Sequence, residues 1–197
     1  MKTCAWRGLP AVLVFCSVLW TAGLNGLKAG PLPDFSNPLP PGQLAARIES
    51  AMTDRQALGQ VLMFGYSGEQ ASPDILRWIE QEGLGSVKIF GRNSNTLATL
   101  ASAVGAYQKK ALEGPFSIPL LIATDQEGGW VRHVRGESSQ TAGNMSLGAG
   151  DLPHDAWETG RFLGEELAAV GINMNFAPTV DVFVDPKADV IGPRAFM

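Results

Sequence analysis

Histidine is scarce in this sequence. Two occur in 197 residues, His133 and His154, in separate segments with no cysteine near either. That spacing argues against a metal centre. The two cysteines, Cys4 and Cys16, both fall within the first twenty residues. If that stretch is removed, no disulfide can hold the remainder together. Charge is thin as well: 17% of residues are charged, the net charge is −4, and no basic block stands out. Nothing here would attract a nucleic-acid backbone. No GxGxxG fingerprint follows a strand-like run. What is abundant is apolar side chain, 45% of residues. That excludes disordered and collagen-like classes and is enough for one domain with a sizeable core.

The amino terminus reads as an export signal, residues 1–29, with cleavage near 23–29. Lys2 and Arg7 give a positive start, Ala11 to Trp20 is apolar except for Ser17, and the small residues Thr21, Ala22 and Gly23 follow. The alternatives are an uncleaved anchor and a lipid-modified Cys16. Gly8 to Leu24 is barely long enough to span a bilayer and Pro10 interrupts it. Phe15 is bulky where a lipid-attachment signal wants a small residue. An exported protein without stable membrane insertion is the expectation. Residues 30–42, with Pro31, Pro33, Pro38, Pro40 and Pro41, read as a linker, because proline removes backbone donors and discourages helix.

From Gln43 onward helix and strand periods alternate. Leu44, Ile48 and Met52 recur at helical spacing, and Thr53 or Asp54 can cap a second short helix. Strands are expected over 60–65, 86–91, 119–124 and 173–177. Helices are expected over 73–82, stopped by Gly83, over 96–112 and over 155–170. A long Gly-, Ser- and Asn-rich loop is expected from Asp125 to about Pro153. Alternating strands and helices imply a parallel sheet, and near-continuous apolar strands imply cover on both faces. A doubly wound sheet and a (β/α)8 barrel of the TIM type both fit that pattern.

The densest chemical signal is Asp125-Gln126-Glu127-Gly128-Gly129-Trp130, leaving the carboxyl end of an apolar strand, where α/β sheets place ligands. A carboxylate there can accept hydrogen bonds from sugar hydroxyls, and Trp130 offers a face that could pack on a sugar ring or fill apolar space. The competing reading is that Asp125 or Glu127 caps the amides of a tight turn. Near the end of the chain, Arg194 could donate a forked pair of hydrogen bonds, or form a surface ion pair with Asp185 or Asp189. Lys88, inside a strand, must find a carboxylate or reach solvent.

Several blocks carry a resemblance: 89–93 (IFGRN), 122–129 (IATDQEGG), 143–149 (GNMSLGA), 164–173, 175–181 (NFAPTVD) and 190–196 (VIGPRAF). In this order they resemble the N-terminal barrel domain of glycoside hydrolase family 3, over roughly residues 55 to 197. The Ile-Gly-x-Arg-Ala-Phe block resembles the β-N-acetylhexosaminidase branch, with the β-glucosidase branch as the alternative. The resemblance implies a retaining hydrolase for terminal β-linked N-acetylhexosamines, with a carbohydrate partner and no cofactor. It also implies the first half of a (β/α)8 barrel, over 43–197. It assigns Asp125 to the hydroxyls of the non-reducing sugar, Arg194 to the same ring, and Asp181 to structure. The family usually has Arg eight residues after the binding Asp. Here that position is His133, with Arg132 just before it, and either could supply the donor.

Retention needs a nucleophile and a proton donor. The family carries the nucleophile as an Asp on a late strand. The donor is a His with an Asp partner, beyond a Lys-His-Phe-Pro-Gly-His-Gly motif. That motif is absent from these 197 residues, so no catalytic residue is assigned. A sugar-binding remnant is therefore a competing expectation, as is completion of the barrel by a C-terminal half. Half a barrel would bare two strand edges, which invite aggregation.

Overall fold

The computed structural model describes residues 32–185, 187 and 190–197. The expected export signal, 1–29, lies outside the described residues.

Helix α1 is Pro41–Ala51, with Pro40 as its cap and Pro41 in the first turn, where a missing N–H costs nothing. The helix thus starts inside the segment expected to be linker. The residues before it also pack back on the body: Phe35 N–H donates to Phe116 O at 2.8 Å, and Leu39 joins Leu44, Ile48 and Phe116 in a small apolar cluster. Helix α2 is Asp54–Gln60, capped by Thr53 in a reciprocal capping box with Gln56. Strand β1 is only Met63–Gly65. The apolar run from residue 60 suggested a longer strand. Gln60 instead ends α2, and Val61 caps it with its side chain in solvent.

Helix α3 is Pro73–Glu82, begun by the Ser72 side chain and closed by Gly83 at φ 67°. That left-handed turn is one a β-carbon would oppose. Strand β2 is Ser86–Lys88, helix α4 is Leu97–Leu112 with Thr96 as its cap, and strand β3 is Leu121–Thr124. The expected loop after Asp125 is more ordered than its composition suggested. It holds an antiparallel hairpin, β4 (Gln126–Gly128) with β5 (Val131–Arg132), and a short helix α5 (Asn144–Gly150). Helix α6 (Pro153–Ala169) and strand β6 (Met174–Asn175) complete the set. Among the described residues no helix is long and apolar enough to cross a membrane.

The sheet decides between the two architectures. Its strands are all parallel and run β1-β2-β3-β6, each beside its neighbour in chain order. A doubly wound sheet reverses that order at a switch point, whereas a barrel does not. The fold is a barrel-type half, and its four-stranded sheet does not close.

Val87, Ile89 and Ile122 are fully buried against Ile75 and Ile79 of α3, Leu100, Val104 and Tyr107 of α4, and Leu167 of α6. Alternate residues face the opposite side of the sheet. There Leu121 is 49% exposed and Lys88 is the only charged residue in the four strands. Ile122→Val removes one methylene from the packed face. It should lower unfolding free energy by about 0.5–1.5 kcal/mol in urea titration. No change would mean that the sheet centre is not close-packed.

Candidate functional site

The site is assembled just past the carboxyl ends of β2, β3 and β6. Asp125 follows β3 directly, and asparagine and glutamine amides hold its backbone neighbours. Asn175 Oδ1 accepts from Gln126 N–H at 2.9 Å, and Asn175 Nδ2 donates to Gln126 O at 3.1 Å. The fully buried Gln126 side chain clasps Val134, accepting from its N–H at 2.9 Å and donating to its carbonyl at 3.1 Å. That clasp returns the hairpin so that His133 stands opposite Asp125. Ser94 Oγ also donates to the His133 carbonyl.

The Asp125 carboxylate does not cap the turn. Its partners are side chains: Lys88 Nζ at 2.6 Å from Oδ1, and His133 Nε2 at 3.5 Å from Oδ2. Its side chain stays 28% exposed, so it is neither sealed in the core nor free in solvent. Lys88 thus found the carboxylate that its strand position demanded. Burial lowers the His133 pKa below its ordinary value. Asp125 and Glu127 oppose that shift, while Lys88 and Arg135 reinforce it.

Arg132 and His133 do not share a face. The Arg132 guanidinium reaches Ser139 O at 3.4 Å, while His133 meets Asp125 and packs edge-on against Phe90, with ring centroids 5.5 Å apart. A register irregularity at Gln126/Gly128 sets this outcome. Gly128 (φ 83°) and Gly129 (φ 53°) make the turn, and a β-carbon at Gly128 would lie 2.6 Å from Ala142 O.

Arg194 pairs with neither Asp185 nor, within the described residues, any other aspartate. It makes a forked pair with Glu127, Nε–Oε2 at 2.9 Å and Nη2–Oε1 at 2.6 Å. The Glu127 side chain is 4% exposed, and its hydrogen bonds raise the guanidinium pKa further. The Arg194 carbonyl accepts from Asn144 Nδ2 at 2.7 Å and from Thr179 Oγ1 at 2.6 Å, so α5 anchors this segment. The nearby Asp181 carbonyl accepts from Phe196 N–H at 2.8 Å. Trp130 lies at the hairpin tip, 80% exposed, and is not a core filler. It borders a cavity of about 250 Å³ whose lining includes Glu127, Asn144, Ser146 and Arg194.

Sequence reasoning left Asn144, Asn175 and Gln126 without roles and offered Glu127 only as a turn cap, whereas its carboxylate is taken by Arg194. Asn175 carried a usable signal, since an amide ending an apolar strand needs a partner. Glu127 carried none, because its partner is 67 residues away.

Parallel strands in chain order, with carboxylate, ammonium, imidazole and guanidinium groups gathered at their carboxyl ends, define a β/α-barrel-type domain with a candidate ligand site at that end of the sheet. The chain belongs to glycosyl hydrolase family 3: the family's N terminal domain matches residues 53–197. Beta-hexosaminidase A of Pseudoalteromonas piscicida is 34% identical over 174 residues, covering 77% of this chain and 29% of the relative. An uncharacterized secreted glycosyl hydrolase of Arthroderma benhamiae is 35% identical over 147 residues, covering 72% of this chain and 40% of the relative. The solved family 3 beta-N-acetylglucosaminidase from Paenibacillus sp. str. FPU-7 superposes with a TM-score of 0.70 at 40% identity, covering 73% of this chain and 27% of that one. The Beta-N-acetylhexosaminidase from Beutenbergia cavernae superposes at 0.64 and 34% identity, covering 72% and 42%. This chain therefore spans well under half the length of these relatives.

Proposed function

We propose that this chain is the sugar-holding part of an exported, retaining β-N-acetylhexosaminidase acting on terminal β-linked N-acetylhexosamines. The observation that carries the reading is the Asp125 carboxylate. It is partly open to solvent at the carboxyl end of β3, with its flanking backbone clamped by Asn175. A carboxylate fixed in that way can accept sugar hydroxyls without reorganising.

His133 shares this task, being the donor that faces the carboxylate, while Arg132 faces away. Arg194 holds the same ring from the Glu127 side. Trp130 supplies an apolar wall to the adjoining cavity. Two groups must perform retention, and no described residue is assigned either role. The strands completing the barrel would bring them. The names of the relatives favour N-acetylhexosamine over glucose as the sugar held.

Saturation-transfer NMR on the purified chain tests the reading. N-acetylglucosamine should bind, with glucose at least about tenfold weaker, since a lost amide contact is worth about 1.4 kcal/mol. Equal binding, or a preference for glucose, would reject the assignment. Export, to the periplasm or the medium, is checked separately by mass spectrometry of protein recovered from those two fractions. The mature chain should begin between residues 24 and 30, and an intact Met1 would count against cleavage.

A further inference from the structure

Lys88 has no role in the site as described so far, yet it makes the site's shortest contact to Asp125. It is the only charged residue in the four strands of the sheet, and its side chain is 12% exposed. An ammonium so placed is costly unless it is paired. The pair is close: Nζ lies 2.6 Å from Asp125 Oδ1. Two aromatic rings flank the ammonium, Phe176 with its centroid at 4.2 Å and Phe90 at 5.8 Å. Both attract a cation. The other carboxylate oxygen, Oδ2, faces His133 at a looser 3.5 Å.

We propose that Lys88 is a positioning residue for the sugar-binding carboxylate. It takes Oδ1 and fixes the carboxylate plane, so that Oδ2 on the His133 side is the oxygen left to accept a ligand hydroxyl. An ammonium carries three donors and no acceptor. One is spent on Oδ1, so a second can be given to the oxygen of a neighbouring hydroxyl. The Lys88–Asp125 unit thereby reads two adjacent hydroxyls of one sugar, one as donor and the other as acceptor. This inference rests on the sugar-site reading above.

Affinity for N-acetylglucosamine tests it, measured by NMR titration on the whole chain carrying Lys88→Met, Lys88→Arg or Asp125→Asn. Methionine keeps the apolar stem over Phe176 and removes only the charge. Lys88→Met should weaken binding about tenfold, the effect of one charge-assisted hydrogen bond, and Lys88→Arg should recover most of the loss. If the methionine variant loses its cooperative melt, Lys88→Gln takes its place.

A second readout does not depend on sugar. The sequence has two histidines, so the His133 ring is readily assigned by NMR. The groups acting on it are Lys88 and Arg135, which push its pKa down, and Asp125 and Glu127, which push it up. Lys88→Met should raise the His133 midpoint, and Lys88→Arg should leave it in place.

Wild-type affinity in Lys88→Met with a loss in Asp125→Asn would overturn the positioning role and leave the sugar site standing. An unmoved His133 midpoint in Lys88→Met would overturn it too. No loss in Asp125→Asn, or no binding by the unaltered chain, would remove the sugar site itself and the inference with it.

Discussion

Arg194→Met is expected to lower the stability of the folded chain by about 3 kcal/mol in urea titration. That is the low end for breaking a buried ion pair from one side. The low end applies because Arg194 is itself 34% exposed, while the cost arises at Glu127, whose side chain is 4% exposed. Glu127 would lose both of its charged hydrogen bonds and keep its charge away from water. The backbone at 194 would stay anchored, because Asn144 and Thr179 hold its carbonyl and not its side chain. A matched test separates charge from packing. Glu127→Gln combined with Arg194→Met should recover much of the loss, since contacting residues are not additive. A loss below about 0.5 kcal/mol in the single variant, the range of an ordinary surface substitution, would show that water reaches the pair and that it contributes little.

Asp125→Asn should reduce affinity for N-acetylglucosamine by about ten- to a hundredfold, the range for losing hydrogen bonds to a charged acceptor. The fold should survive. The amide oxygen can still accept from Lys88, and the clamp by Asn175 acts on the backbone of Gln126 and not on the Asp125 side chain. A small change in thermal midpoint with a large change in affinity is therefore the expected pattern. The reverse pattern, a large loss of stability with unchanged affinity per folded molecule, would make Asp125 chiefly the partner that lets Lys88 be buried. This carboxylate and Arg194 then differ in kind. One is held open beside a cation and an imidazole, while the other gives two of its five donors to an internal partner and keeps the rest for the ring.

That difference was not available from spacing. Arg194 had two nearby aspartates in sequence, and a surface pair with Asp185 or Asp189 was the local expectation. Asp189 lies outside the described residues, and the guanidinium is engaged with Glu127. The choice between Arg132 and His133 turned on the irregular register of β4 and β5. One residue of slip exchanges the face on which a side chain lies. Helix α5 went unseen because Asn144–Gly150 is short and contains two glycines, so its local helix signal is weak. It is held by tertiary bonds from Asn144 to Thr179 and Arg194.

The amino-acid sequence alone determined the alternation of strands and helices. It also determined a helix start at Thr53 or Asp54, the stop at Gly83, and the placing of Asp125 at a strand's carboxyl end. These depend on hydrophobic period and on backbone preferences that act within one or two turns of chain. Tertiary structure decided that the sheet runs in chain order, that Lys88 and His133 meet Asp125, and that Glu127 takes Arg194. Such contacts are made between segments from 8 to 67 residues apart. Which charges come within 4 Å across such gaps is set by strand register and loop geometry, and neither is written in the local pattern of residues.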